Sequence, residues 1–463
     1  MVRFTQSCAR RTSTMINQNA NQILPTPVRL GADERFTGKG ITIALADSGY
    51  YPIADLTQPT NRIRAWVDAT ESPARVLRFA RDEAPTWPGY DDNAARHWHG
   101  LMTSTVAAGN GFLSGGEYRG VASDADIVLI RVMGEGGGIP NENIVRALKW
   151  IRASAEDYNI RVVSLSVSGD PYKKLLGNPI DEAVKALVQQ HIVVAVAAGN
   201  DGVRRLTPPA TAPDALTIGG IDDHNSFDPD EVELWHSNYG VSERKLPKPE
   251  LVAPSIHIAA PLLPNSETAA RAQDAFSKND TAYIRSQKLI TPHYQQVEGT
   301  SFAAPIVAAT VACMLQANPA LTPFDVRRIL IATATRVPDA DDARQGAGAL
   351  NAFAAVAAAL AQKDRPDLIT EKSPLIRNER VYFIYRDPRA KRVQLRGEWD
   401  NWQGTLDAQQ IEYGVWVIEM PKPSSGFYAY RFLIDGTTWI DDPDNPTRRT
   451  NPYGEFDSVL VVS

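Results

Sequence analysis

The stretch that organises this chain is Glu298-Gly299-Thr300-Ser301-Phe302-Ala303-Ala304-Pro305-Ile306, followed by the apolar run Val307-Ala308-Ala309-Thr310-Val311-Ala312-Cys313-Met314-Leu315. Small residues crowd a lone serine, and a long run of core-type residues follows. We read a tight Gly-Thr turn feeding a buried helix, with Ser301 at or near its first turn. The N-terminus of a helix offers unpaired N–H groups and the positive end of the helix dipole. Both favour an oxygen that carries negative charge in passing. Serine is also a common helix cap. The stretch alone therefore leaves two readings of Ser301, a cap and a nucleophile. The choice depends on whether the chain also supplies a base, an orienting acid and an oxyanion donor.

Working outward, a series of short apolar runs has the length and flanking residues of buried parallel strands. Ile41 to Ala46 follows a Gly-Lys-Gly turn and ends in Asp47-Ser48-Gly49. Ile127 to Val132, Val162 to Ser166 and Ile192 to Ala197 repeat the pattern, the last ending in Ala198-Gly199-Asn200-Asp201-Gly202. Helical patterns alternate with them: a helix starting around His99-Gly100, one capped by Asn141 and running to about Asp157, and one near 178–190. Strands alternating with helices imply an α/β fold with a doubly wound parallel sheet. In such sheets sites form at the carboxyl ends of strands, where Asp47 and Asn200 lie. Residues 262–297 break the alternation. They form either a lid or substrate-shaping insertion next to the serine, or a solvated surface excursion.

Composition sets outer limits. The chain has 463 residues, 43% of them hydrophobic, enough for a large core. A net charge of -6 argues against a nucleic-acid partner. No apolar run is judged long enough to cross a bilayer. The N-terminus lacks the apolar stretch of a secretory signal. Two cysteines, Cys8 and Cys313, exclude a disulfide framework, and a cytoplasmic setting is expected.

Four domains or segments are expected: an extension over 1–30, a main domain over 31–362, a charged linker over 363–379 and a second domain over 380–463. The last reads as a small all-β sandwich. Short alternating runs such as Val381 to Tyr385, Val415 to Ile418 and Tyr428 to Ile434 are separated by turn residues that include Asp435-Gly436.

Taken together, the motifs resemble those of subtilisin-like serine proteases. Asp47-Ser48-Gly49, with Asp55-Leu56 after it, is similar to the family's aspartate box. His99-Gly100 through Gly109 is similar to its histidine box, and Gly299-Thr300-Ser301-Phe302-Ala303-Ala304-Pro305 to its serine box. Lys248 to Pro254 resembles the stretch before the serine. The order Asp, His, Ser is the one found in subtilisin. The resemblance covers about residues 30–362. It implies a serine endopeptidase with Ser301 as nucleophile, His99 as base, Asp47 as orienting acid and Asn200 as oxyanion donor. Histidine suits the task because its free pKa lies near neutrality. His97 is a rival base, but only His99 precedes the glycine.

The same resemblance implies that Ser164, Leu165, Ser166 and Gly199 bind the substrate backbone. Ser168 stands where the family usually has glycine on the pocket wall. Asp201 is either a solvated loop carboxylate or a rim charge favouring a basic side chain at P1, the residue preceding the cleaved bond. The expected partner is a protein or peptide, with no nucleic acid, membrane or cofactor. Calcium is left open, because no ligands are identifiable. Ile23-Leu24-Pro25-Thr26-Pro27 is expected either to lie in the substrate cleft, with proline blocking cleavage, or to be a tail.

Within residues 380–463, Val393 to Trp402, Gly426 to Gly436, Trp439 and Asp441-Asp442-Pro443 resemble the glycogen-binding domain of AMP-activated kinase β subunits and related starch-enzyme modules. This implies Trp402, Arg431 and Trp439 as α-glucan contacts, with Arg431 replacing the usual lysine and Asp457 an expected asparagine. Packing or binding a protein partner are the other readings of that domain, and Trp399 and Trp416 read as core. Alternatives to the protease are a catalytically silent scaffold or a glucan-binding protein. A processing protease with one partner substrate is a third.

Overall fold

A computed structural model describes residues 23–91, 94–171, 177–242, 244–362, 368, 371–377, 379–412 and 414–462. The chain divides into two compact units, one formed by residues up to 319 and 326–360, the other by 320–325 and 361–463.

The first unit is built on a nine-stranded sheet. Its strands are β1 (Thr42–Asp47), β2 (Ile63–Asp68), β3 (Arg75–Arg78), β4 (Asp126–Arg131), β5 (Ile160–Leu165), β6 (Val193–Ala197), β7 (Leu216–Asp222) and β8 (Glu233–Leu234), together with Leu251–Pro254. Leu251–Pro254 forms one edge, followed by β7, β6, β5, β1, β4, β2 and β3; β8 pairs β7. All pairings are parallel except β2 with β3 and β7 with β8. The strand order reverses direction at β1, so Asp47 sits at the switch point where such sheets open a crevice.

Both faces of the sheet are covered. On one side Ala44, Ala46, Val128, Ile130, Val163 and Val194 share a core with Ile144, Leu148 and Ile151 of helix Asn141–Tyr158 and with Ile180 and Val184 of helix Pro179–Val188. The alternate strand residues, among them Ile43, Leu45, Ile127 and Leu129, are fully buried and point the other way. The helices Ala94–Ala108 and Thr300–Ala317 pack there. Thr300–Ala317 is 18 residues long with a mean hydropathy of 1.5, so on length and composition it passes as a membrane span, contrary to the expectation for this chain. It is 89% buried inside the unit, and a helix apolar on all sides is what the middle of a large core requires.

The structure corrects Asn141 as a helix cap. The cap position is Pro140, and the Asn141 side chain instead bonds the backbone N–H and C=O of Asp170. Residues 262–297 form helices Glu267–Lys278 and Thr281–Ser286 over a three-stranded sheet of Ile258–Pro261, Tyr294–Val297 and Leu289–Thr291. They have a small core of their own around Leu262, Ala272 and Leu289.

Ile23–Pro27 does not occupy the substrate cleft. Ile23 is buried against Tyr118 and Tyr294, and the Leu24 N–H donates to Asn225 Oδ1 at 2.7 Å. Arg29 then fastens the segment, reaching Asp223 Oδ1 at 2.5 Å and the His257 carbonyl at 2.9 Å. An apolar socket and an ion pair hold the segment there. The preceding residues lie outside those described.

The second unit is a sandwich. One antiparallel sheet contains Leu375–Arg377, Arg380–Arg386, Val415–Pro421 and Gln409–Glu412. The other contains Leu406–Asp407, Val393–Gly397, Gly426–Ile434, Phe456–Val462, Arg448–Thr450 and Thr438–Ile440. Phe383 and Trp416 of the first and Leu395, Phe432 and Leu460 of the second share one core, with Trp399 packed against it. Asp435 and Gly436 both have positive φ in the three-residue loop between Ile434 and its partner Thr438.

A buried ion cluster ties the Leu251–Pro254 edge to β7. Lys248 Nζ donates to Glu250 Oε1 at 2.6 Å and to the Ala215 carbonyl at 2.7 Å. Glu250 Oε2 accepts the Thr217 N–H at 2.7 Å, and Arg327 pairs the same carboxylate. Burial lowers Lys248 to about 8, even though Glu250 pulls it back up. Removing one partner strands a buried charge. Glu250→Ala is expected to cost about 3–5 kcal/mol in denaturant unfolding; a loss under 1 kcal/mol would show that the cluster does not hold this edge.

Candidate active site

Ser301 is the second residue of its helix. The cap position belongs to Gly299, so the reading of Ser301 as a cap is not what the structure shows. Gly299 has φ 133, and a Cβ there would stand 3.3 Å from Asn200 Nδ2 and 3.8 Å from the Ser301 nitrogen. Those two donors thus face one small space that a side chain would fill.

Asn200 follows β6 and is aimed by its oxygen. Its Oδ1 accepts the Thr300 N–H at 3.0 Å and the Thr300 hydroxyl at 2.8 Å. With the oxygen so fixed, Nδ2 must point to the opposite side of the carboxamide, toward that space. The Ser301 N–H is among the first-turn donors that have no intrahelical acceptor.

Four residues after Ser301 stands Pro305, inside the helix. Proline has no N–H, so the Ser301 carbonyl loses its i+4 donor. Ser166, just past β5, supplies a replacement: its hydroxyl donates to the Ser301 carbonyl at 2.8 Å. The helix is thereby tied to the strand segment expected to bind substrate.

His99 lies on helix Ala94–Ala108 and meets the end of β1. His99 Nδ1 is 2.6 Å from Asp47 Oδ1, with the aspartate almost wholly buried. Asp47 is held in turn by the Ser48 N–H at 2.6 Å on Oδ1 and the Thr103 hydroxyl at 2.8 Å on Oδ2. The two segments touch backbone to backbone: a Cβ on Gly100 would fall 2.1 Å from the Gly49 carbonyl. Burial disfavours the His99 cation, but the adjacent Asp47 carboxylate outweighs burial by its charge and its hydrogen bond, leaving the pKa raised. His97 is turned elsewhere, with Nε2 2.7 Å from the Gly89 carbonyl.

Beside Ser301 opens a cavity of about 310 Å³. Ser166 and Ser168 line one side, Gly199 and Asn200 another, and Asp201 and Arg205 reach it from the loop after β6. The arrangement can therefore do acyl-transfer chemistry: a hydroxyl at a helix N-terminus, an imidazole held by a carboxylate, two N–H donors on one space, and a side-chain pocket.

A family-wide sequence model described as the subtilase family matches residues 38–348. The chain belongs to the subtilase family. It is 31% identical over 363 residues to serine protease AprX of Bacillus subtilis strain 168, covering 74% of each chain. It is 24% identical over 319 residues to subtilisin Savinase of Lederbergia lenta, covering 69% of this chain and 91% of that one. Among solved structures it is similar in fold to a protease from Pseudoalteromonas arctica PAMC 21717, with a TM-score of 0.51 at 23% identity over 73% of this chain and 94% of that one. This subtilase is accordingly a serine endopeptidase that acts on protein or peptide substrates.

Several residues of the site were not singled out in the sequence. Thr103 and Thr300 are threonines within recognised boxes, and their side-chain contacts to Asp47 and Asn200 appear only in three dimensions. Asn238 comes from a loop with no motif, yet its side chain binds the Asp201 N–H at 2.9 Å and the Asp201 carboxylate at 3.2 Å. Arg205 carried no pattern at all. For a metal, one group among the described residues, Asp222, His224 and Glu233, brings donor atoms within 4.8 Å of one another; His224 and Glu233 already bond each other at 3.1 Å.

In the sandwich unit Arg431 and Trp439 adjoin, with Arg431 Nη2 donating to the Trp439 carbonyl at 3.1 Å. Trp402 follows the turn Glu398–Asp400, its N–H donating to the Gly397 carbonyl at 2.9 Å, and no hydrogen bond or ring contact joins it to Arg431 or Trp439 among the described residues.

Two expectations follow from this geometry. Asp47→Asn removes the charge that raises His99, so the acid limb of the kcat/KM profile is expected to move to lower pH, with kcat down by about 10⁴; an unmoved limb would contradict the pairing. Ser166→Ala leaves the Ser301 carbonyl without its donor and is expected to cost about 1–3 kcal/mol in thermal unfolding.

Proposed function

We propose that Ser301 is the nucleophile, His99 the general base, Asp47 the acid that orients it, and Asn200 with the Ser301 N–H the oxyanion site. The observation that carries this is the meeting of three chain segments at one helix start: Asn200, after β6, is bonded to Thr300, and His99, held on Asp47 at 2.6 Å, has its ring 5.9 Å from that of Phe302. His99 takes the hydroxyl proton as Ser301 attacks the peptide carbonyl. The tetrahedral oxyanion forms where Asn200 Nδ2 and the Ser301 N–H face each other. His99 then protonates the leaving amine, and water repeats the sequence on the acyl-enzyme. Aspartate fixes the imidazole tautomer and stabilises the imidazolium. Ser164, Leu165, Ser166 and Gly199 line the path of the substrate backbone, a role supported by Ser166 and Gly199 both flanking the cavity beside Ser301.

A cytoplasmic setting is part of the same proposal. It is supported by the two cysteines of the chain, of which Cys313 is free and buried in the central helix. For the sandwich unit we favour a protein partner over an α-glucan. Trp439 is exposed, with the Arg396 guanidinium 5.9 Å from its ring. Arg431 is engaged by Glu455. A sugar ring needs an open aromatic face, and this one has a cation beside it.

The test of the catalytic assignment is covalent labelling with a fluorophosphonate probe. The wild-type chain is expected to label and Ser301→Ala not to. Asn200→Ala is expected to keep labelling at a slower rate and to lose about 10²–10³ in kcat, the cost measured for one oxyanion donor in subtilisin. Labelling that persists in Ser301→Ala would refute the assignment.

A further inference from the structure

The cavity beside Ser301 carries two opposite charges from one loop, and they are not equivalent. Asp201 is the residue after the oxyanion asparagine. Its carboxylate accepts from Asn238 Nδ2 at 3.2 Å, while its own N–H and that of Val203 donate to Asn238 Oδ1 at 2.9 and 3.2 Å. Asn238 thus clamps the loop, and Asp201 is one jaw of the clamp. Arg205, four residues on, lines the same cavity. Its backbone N–H is bonded to the Val203 carbonyl at 2.8 Å, but its guanidinium has no hydrogen-bond or ion-pair partner among the described residues.

We propose that Arg205 sets the P1 preference of this protease, directing it to substrates with an acidic P1 side chain, glutamate above all. The inference rests on the assignment of Ser301 as nucleophile, which makes this cavity the P1 pocket. An uncommitted guanidinium offers a planar fork of donors matched to a carboxylate, and such charge-assisted pairs are the stronger hydrogen bonds. The other cavity groups suit the same ligand. Ser168 and Thr207 bring hydroxyls where an aromatic side chain would want apolar walls, the Ser166 hydroxyl being committed to the Ser301 carbonyl. A lysine at P1 would meet Arg205 as a like charge. Asp201, which also lines the cavity, keeps its charge but is held to the loop by Asn238 Nδ2 at 3.2 Å. A pocket of about 310 Å³ is large enough for a side chain of glutamate length. The proposal takes Asp201 as a loop carboxylate and not as a rim charge for a basic P1 residue.

The experiment uses the full-length enzyme and four peptide anilides that differ only at P1: Glu, Gln, Phe and Lys. At low salt, kcat/KM for Glu is expected to exceed that for Gln by about tenfold, the worth of one charge-assisted pair, with Lys the poorest. Added salt is expected to narrow the Glu-to-Gln ratio. Arg205→Glu is expected to invert the Glu-to-Lys order, whereas Arg204→Glu, at a neighbour exposed like Arg205 but outside the cavity lining, is expected to leave it unchanged. The proposal is overturned if Phe or Lys is cleaved best by the wild type, or if Arg205→Glu and Arg204→Glu shift the order equally. Active-site titration with a fluorophosphonate accompanies each variant. A chain that neither labels nor cleaves any of the four would instead refute the catalytic assignment, so the two failures are distinguishable.

Discussion

The two hydrogen bonds from Thr300 to Asn200 Oδ1 join the end of a central strand to the start of the central helix. Much else in the site depends on that junction. It fixes which end of the carboxamide faces the substrate, because an amide that accepts with its oxygen on one side presents its N–H₂ on the other. It also fixes the first turn of the helix, and so the direction of the Ser301 N–H. Preorganisation of this kind matters because donors already in place need not reorganise as charge develops. Gly299 completes the junction by leaving empty the space the donors share.

The same helix has to satisfy two demands that conflict locally. It must be apolar throughout, since it runs through the core, and it must present a polar reacting group at its start. Pro305 lies where these meet. It removes one backbone donor, and the freed Ser301 carbonyl is taken up by Ser166 from the neighbouring strand segment. A backbone group that would otherwise go unpaired becomes the tie between the nucleophile and the substrate-binding edge. On the opposite side, Ser48, Thr103 and His99 together occupy Asp47, so this buried carboxylate has a donor for each oxygen. A charge removed from water is tolerable on those terms.

What the sequence made legible follows from what leaves a local trace. The strands ending at Asp47, Leu165 and Ala197 announced themselves as short apolar runs, and the α/β order came from their alternation with helices. The glycines at 49 and 100 could be read as boxes; that they exist because two backbones meet there required the structure. Contacts between distant segments left no trace. Asn238 lies 37 residues from its partner Asp201, and the Asp170 groups that hold Asn141 are 29 residues away. Asn141 had the sequence mark of a cap, but Pro140 before it took that position. The placement of Ile23–Pro27 was misjudged because its partners, Tyr118, Asn225 and Tyr294, come from three separate later segments. In the sandwich, alternation revealed the strands, while the pairing of Arg431 with Glu455 and the approach of Arg396 to Trp439 became visible only once the sheet was formed.

The account stands or falls on where the oxyanion forms. The most direct measurement is a high-resolution crystal structure of the enzyme with a peptidyl boronate bound covalently to Ser301. The account predicts one boronate oxygen within about 2.7–3.1 Å of both Asn200 Nδ2 and the Ser301 nitrogen, with the Thr300 bonds to Asn200 Oδ1 retained. A boronate oxygen turned away from both donors, or an Asn200 carboxamide flipped off Thr300, would contradict it.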